Sequence, residues 1–215
     1  MYRQARSPLE ACYRAHMSMN KRFRGFLPVV ADIETGGFNS AINPILELAC
    51  VILTWENNRL RPLSSHRWAV TPFHGSSIEP ASLKFTGINL QDPNRRAVSE
   101  AEAVKALFRE VREQMKETDC HRAILVAHNA AFDREFLMRA ADRNNVKRNP
   151  FHPFTTIDTA SLSAVAYGHT VLREACARAG IEFDINQAHG ALYDADRTAQ
   201  LFCRIVNSTP IVMED

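Results

Sequence analysis

The sequence predicts an α/β protein, a mixed β-sheet flanked by α-helices within a single domain. Three observations carry this expectation. Apolar, β-branched runs crowd the first third of the chain; an amphipathic helical pattern follows; and a short continuous apolar run, Ala123-Ile124-Leu125-Val126-Ala127, marks a central strand covered on both faces. Strands first, then alternation with helices, is the order of a layered α/β arrangement. With 215 residues, 46% apolar and 23% charged, the chain can bury one core, and its 8 glycines and 10 prolines exclude collagen and low-complexity repeats.

Each element has its own signal. Pro28-Val29-Val30-Ala31-Asp32-Ile33 reads as a buried strand running into a turn at Gly36-Gly37. Residues 45–55 form a second strand, Asn57-Asn58 a turn, and a third strand lies near His66–Val70, so the three make a meander. Beyond Pro80 a short helix reaches Phe85 and stops at Gly87. Over 99–117, Val104, Leu107, Phe108, Val111 and Met115 recur at helical spacing among charged residues. After the central strand a helix carries Phe132, Phe136 and Leu137 to Asn144-Asn145. Asn149-Pro150-Phe151-His152-Pro153-Phe154 reads as a surface loop, Thr155–Asp158 as a further strand, and helices at 159–167, 170–179 and 190–206 close the chain.

Charge and cysteines bound the setting. Residues 1–24 hold six basic residues against Glu10, a net of +5, so the remainder carries −3 of the total +2. Such an arm fits a phosphate contact and a solvated tail equally, and its Arg-rich, acid-poor make-up leaves organellar import as a lesser option. Cys12, Cys50, Cys120, Cys176 and Cys203 are odd in number, scattered and without a C-x-x-C pair, which predicts reduced thiols. No apolar run approaches the ~18 residues of a spanning helix. The expected location is the cytoplasm, with no membrane partner.

Acidic residues fall where strands end. Asp32 and Glu34, two apart, point to one face of the first strand. Asp133 opens the helix after 123–127, and Asp194 lies near the start of the last helix, five residues after His189. Ligands of open α/β sheets sit at the carboxyl ends of strands, so these four can meet there. Unpaired, they would be prohibitively unfavourable unless protonated or neutralised by cations. Oxygen-only ligands select Mg²⁺ or Mn²⁺ over zinc, and two ions about 3.5–4 Å apart suit in-line phosphoryl displacement. Taken alone, any one of these acids is more often a cap or a surface charge. His189 and Asp194 inside one regular helix would be about 140° apart, so convergence requires His189 on the loop before the helix, with Gly190 beginning or capping it.

Asp32-Ile33-Glu34-Thr35, His128-Asn129-Ala130-Ala131-Phe132-Asp133 and His189-Gly190-Ala191-Leu192-Tyr193-Asp194 resemble, in order, the three exonuclease motifs of the DEDD superfamily. Arg22-Phe23-Arg24-Gly25-Phe26, Gly36-Gly37-Phe38-Asn39, Phe85-Thr86-Gly87-Ile88 and Lys147-Arg148-Asn149-Pro150-Phe151-His152-Pro153-Phe154 further resemble the ribonuclease T family. The similarity runs from residue 22 to about 207. It implies a ribonuclease H-like exonuclease domain over 22–207, a basic extension over 1–21 that can be disordered, and a tail over 208–215.

By that resemblance Asp32, Glu34, Asp133, His189 and Asp194 form the catalytic and metal site, holding two Mg²⁺ ions for which Mn²⁺ can substitute. His189 would be the general base, an imidazole with an ordinary pKa of about 6.5 being able to take a proton near neutrality. A His five residues before the last Asp, with Gly190 rather than Tyr at the fourth, marks the histidine branch. Phe38, Phe85, Phe132 and Phe154 would wedge among the terminal bases, stacking being worth ~1–3 kcal/mol per base. Arg22, Arg24, Lys116, Arg122, Lys147 and Arg148 match a phosphate-binding patch through which one subunit of a homodimer guides a duplex stem to the other's site. Gly190, where relatives carry a hydroxylated residue, and Ala81, where some carry glutamate, depart from the pattern.

The resemblance thus implies a 3′→5′ exoribonuclease acting on RNA with a single-stranded 3′ overhang, such as tRNA and ribosomal RNA precursors, with single-stranded DNA as a further substrate. Two alternatives stand beside it: a proofreading-type DNA exonuclease and a non-catalytic nucleic-acid-binding protein of the same fold. A zinc hydrolase is disfavoured, because the eight histidines include no H-x-x-x-H or H-E-x-x-H spacing.

Overall fold

The computed structural model of the protein describes residues 17–209. Residues 1–16 and 210–215, with Cys12 and most of the expected N-terminal extension and C-terminal tail, lie outside them. The elements run α1 (Met19–Arg22), β1 (Phe26–Thr35), β2 (Ile45–Glu56), β3 (Arg59–Thr71), α2 (Pro80–Thr86), β4 (Val98–Ser99), α3 (Glu100–Glu117), β5 (Arg122–Ala127), α4 (Ala130–Arg143), β6 (Phe151–Asp158), α5 (Thr159–Tyr167), α6 (Leu172–Arg178) and α7 (Ala191–Ser208).

The six strands form one mixed sheet in the order β4-β3-β2-β1-β5-β6. β1 pairs antiparallel with β2 and parallel with β5, while β2 and β3 form the expected hairpin. Its turn has left-handed backbone at both Asn57 (φ 50) and Asn58 (φ 58), which matches the right-handed twist of the strands. β1 and β5 are central and apolar on both sides, which is why they read as continuous hydrophobic runs. Helix α7 packs across β1, β2 and β3, and the packed pair α3–α4 covers the sheet as well. Val104, Leu107, Phe108 and Val111 of α3 are all buried, so the helical spacing read from sequence is the core-facing stripe. Ser99 and Glu102 close a capping box at its start. Cys50, Cys120, Cys176 and Cys203 are buried free thiols, and no helix among the described residues is long and apolar enough to cross a membrane.

The structure corrects three expectations. β3 begins at Arg59 rather than near His66; its first half is exposed apart from Leu60, so it lacks the apolar alternation that announces a strand. The segment read as a surface loop over 149–154 is half strand. Phe151 is buried opposite Ala123, and the ladder resumes only at Thr156 opposite Leu125, so three extra residues bulge out of edge strand β6. Pro153 sits in that bulge, where a missing N–H breaks no ladder bond. Order also starts ahead of residue 22: α1 buries Met19 in the core, and Phe23 meets Phe202 of α7 at 6.3 Å between ring centroids.

Candidate active site

β1 delivers Asp32 and Glu34 to the end of the sheet, side by side on one face, opposite Ala49 and Glu47 of β2. The strand leaves through Gly36, where a side chain would meet the Pro44 ring at 2.7 Å. Asp133 and Asp194 occupy equivalent places, each in the first turn of the helix that follows a strand or loop entering the site. There the positive end of the helix dipole favours a carboxylate. Asp133 is buried and accepts the backbone N–H of Ile33 at 3.0 Å, which ties α4 to β1 between the two strand acids.

Asp32, Glu34 and Asp194 offer oxygens that lie within 4.8 Å of one another. Asp133 and His189 are not in that set among the described residues. Asp133 is spent on the β1 backbone. His189 has left-handed backbone (φ 65) on the loop before α7, with Gly190 as the helix N-cap, as the sequence required. Its N–H donates to Asp194 Oδ2 at 3.0 Å, but its ring is exposed and packs on Phe85, 4.0 Å between centroids.

Burial dominates the electrostatics. It pushes Asp32 well above the usual carboxylate range, with Asp133, Glu34 and Asp194 adding repulsion. Glu34 is pushed up to about 8 by burial and then by Asp194, Glu47 and Asp133. Burial lifts Asp133 to about 7 against the hydrogen bonds from its own N–H and that of Ile33. Asp194 moves up for the same reason, opposed by the His189 N–H. Asp194 Oδ1 is fully buried and makes no hydrogen bond. An oxygen-only set whose members repel, with an orphaned lone pair among them, fits a hard divalent cation.

Phe38 stands at the tip of the Gly36–Pro44 loop, 82% exposed, and meets Phe132 edge-on at 6.2 Å. That loop is held from several sides: Asn43 Oδ1 accepts from Asn39 N, Ser40 Oγ donates to Glu135, and Arg143 donates to the Ser40 carbonyl. Phe85 is 62% exposed beside His189. Phe154 is 83% exposed on the β6 bulge, which His152 Nδ1 braces by accepting from Phe154 N and Thr155 N. Arg134, next to Asp133, donates to the Pro153 carbonyl in the same bulge.

The basic residues lie elsewhere. Arg22 and Arg24 precede β1, Lys116 ends α3, Arg122 opens β5, and Lys147 and Arg148 precede β6. All sit toward the sheet end where β1 starts, roughly 20 Å of strand from Asp32.

Sequence reading missed Glu47. It is buried directly across from Glu34 and held by Arg67 at 2.7 Å, and its charge helps raise Asp32 and Glu34. A lone carboxylate inside the apolar run Ile45–Leu53 was the available signal. Also missed was Asp158, which caps α5, accepts from Asn129 N at the entry to α4, and raises Asp133.

Strand order, flanking helices and the acid centre define an exonuclease-type α/β enzyme, and the comparisons agree. The exonuclease family model, RNase T, matches residues 29–202. Ribonuclease T of Klebsiella pneumoniae is 56% identical over 187 residues, covering 86% of this chain and 87% of that one. Ribonuclease T of Hahella chejuensis is 54% identical over 199 residues, covering 92% and 91%. The chain belongs to the ribonuclease T family of exonucleases. In fold it is similar to Escherichia coli exonuclease I in complex with a dT13 oligonucleotide (TM-score 0.65, 16% identity, 85% of this chain) and to a full-length 3′-exonuclease (TM-score 0.65, 19% identity, 84%). The chain spans 41% and 61% of those two chains, respectively.

The raised carboxyls give a signed pH dependence. From the ordinary carboxylate range up to about 8 the folded protein holds more protons than the unfolded chain, so metal-free stability falls as pH rises through that window. The gain in Tm on adding Mn²⁺ should therefore be larger near about pH 8 than near about pH 5, and Glu34→Gln should flatten the difference. Equal gains at both pH values in the unmodified protein would show that these acids do not bind the cation as a set.

Proposed function

We propose that this exonuclease is a 3′→5′ exoribonuclease that trims the unpaired 3′ tail of structured RNA, such as tRNA and ribosomal RNA precursors, and releases 5′-mononucleotides. Single-stranded DNA is a further substrate. The observation that carries the reading is the convergence of Asp32, Glu34 and Asp194 around a buried, unpartnered oxygen. The catalytic domain is residues 22–207 with α1 joined to it, and it works in the cytoplasm.

Asp32, Glu34 and Asp194, with Asp133 and His189 beside them, would hold two Mg²⁺ ions, which supply Lewis-acid stabilisation of the attacking and leaving oxygens. His189 takes the proton of the attacking water as general base. Its ring must swing from Phe85 toward the acids for this, a side-chain rotation about a backbone that the His189 N–H already ties to Asp194. Free enzymes commonly show such loose catalytic geometry before substrate arrives. Phe38 and Phe132 offer an edge-to-face pair to the last bases, Phe85 is uncovered when His189 turns, and Phe154 closes from the bulge. None of these contacts reads a base edge, which suits an enzyme that trims ends without a sequence requirement.

Arg22, Arg24, Lys116, Arg122, Lys147 and Arg148 lie too far from the acids to grip the same few nucleotides. A homodimer of opposed subunits would set one subunit's basic end beside the other's carboxylates, where it would hold the stem of the RNA being trimmed.

End-labelled tRNA digested in Mg²⁺ or in EDTA, with product length read at single-nucleotide resolution, tests direction, metal and stopping point together. Stepwise shortening from the 3′ end in Mg²⁺ alone is expected, and faster loss from a matched DNA hairpin would favour a DNA enzyme. His189→Ala should lower turnover ~10²–10⁴-fold while metal affinity, read by titration calorimetry, is kept. Unchanged turnover removes His189 from the chemistry. Phe38→Ala should weaken a short oligonucleotide by about 1–3 kcal/mol and spare the metals; equal affinity would make that ring structural.

A further inference from the structure

On the face formed by the start of β3 and the last turns of α7, a groove of about 610 Å³ is lined by Arg59, Arg61 and Arg204, with Gln200 and Asn207 between them. All three arginines are exposed, and among the described residues none of their guanidinium groups makes an ion pair or a hydrogen bond. Five other arginines are matched to acids, in the pairs Arg67–Glu47, Arg109–Glu110, Arg143–Glu100, Arg173–Glu174 and Arg197–Asp196. Even Glu56, opposite Arg59 in the ladder, forms no ion pair with it. Three like charges gathered in one groove without an acid among the described residues that line it, in a body whose net charge beyond residue 24 is negative, suit an anionic ligand.

The groove is also rigid. The Asn207 side chain accepts from Leu60 N at 2.8 Å and donates to Leu60 O at 2.9 Å. That pair of hydrogen bonds ties α7 to β3 at the residue between Arg59 and Arg61, so the backbones that carry the strand arginines and Arg204 are held at a fixed spacing. Arg204 sits four residues before the helix end and donates to no carbonyl among the described residues, so its guanidinium is available to a ligand.

Position names the ligand. The groove lies at the sheet end where β1 begins, and Phe23, between Arg22 and Arg24, packs on Phe202, two residues before Arg204. It therefore continues the basic end toward β3. From Glu47 at the acid centre to Glu56 opposite Arg59 is nine residues of β2, about 30 Å. A mononucleotide or a short tail bound at the carboxylates cannot reach it; a folded RNA can.

We propose that the Arg59–Arg61–Arg204 groove is an additional phosphate-binding surface, which carries the sugar-phosphate backbone of the RNA stem behind the 3′ tail. This rests on the ribonuclease reading above. The triple variant Arg59→Gln/Arg61→Gln/Arg204→Gln tests it, with binding measured in EDTA so that no digestion occurs. The probes are an RNA hairpin with a four-nucleotide 3′ tail and the unpaired tetramer alone.

For the hairpin, the slope of log K against log salt should fall by ~2–3 and affinity near physiological salt should drop roughly tenfold or more, since each lost phosphate contact removes about one from the slope. Tetramer affinity should not move. The matching Arg→Lys triple should keep the slope, because a point charge suffices for a phosphate. An unchanged slope and affinity for the hairpin would overturn the groove, as would an equal loss for the tetramer. Should the triple variant fold poorly, Arg61→Glu, on an exposed strand position, gives the same reading. If the unmodified enzyme binds the hairpin but does not shorten it in Mg²⁺, the ribonuclease reading fails while the groove is still measured.

Discussion

The structure is organised around the cost of placing like charges together out of water. Asp32, Glu34, Asp133 and Asp194 reach one end of the sheet from three distant segments, and burial outweighs every other influence on their protonation. The rest of the fold makes that arrangement tolerable. A one-residue slip of β1 would carry Asp32 and Glu34 to the other face of the sheet; the ladders to β2 and β5 on its two sides hold the register that keeps them on the face they share. Asp133 and Asp194 each take the first turn of a helix, where unpaired backbone N–H groups lessen the repulsion. The charge that remains is what makes the site take up cations.

Residues around the centre serve orientation more than charge balance. Asp133 is fixed by the Ile33 amide and Asp194 by the His189 amide, so two of the four carboxylates are aimed by backbone that belongs to the site itself. Glu47 adds a negative charge beside Glu34, but Arg67 holds it in a close ion pair and so limits its effect. The Phe38 loop is similarly braced: Arg143 bridges it to Glu100 at the start of α3, and its guanidinium lies 3.8 Å over the Phe73 ring. So exposed a ring keeps its place because the backbone beneath it is held from several sides.

Much of this was legible in the sequence because the signals are local. A strand ending in acids, a helical stripe from Val104 to Met115, and His189 five residues before Asp194 each depend on neighbours along the chain. What was missed depends on partners in space. Glu47 became part of the site only through its register with Glu34, and its neutralising Arg67 lies 20 residues away. The first half of β3 carries charges and Pro62 because its outer side faces water, so no apolar alternation marks it. Phe151–Thr155 combines strand and bulge, and its prolines point to a loop when the edge of a sheet tolerates them equally. The packing of the His189 ring on Phe85 follows from a backbone dihedral that composition does not encode.

Both borders of the sheet are blunt. On one side β4 contributes only Val98 and Ser99, and the uncovered rim of β3 begins with Arg59, Arg61 and Pro62; on the other, β6 interrupts its ladder with three surplus residues and Pro153. Arg59, Arg61 and Pro62 on one rim, and the bulge with Pro153 on the other, are devices that hinder the edge-to-edge polymerisation open sheets invite. An incoming strand would have to displace those charges and accommodate those prolines before it could lengthen the sheet.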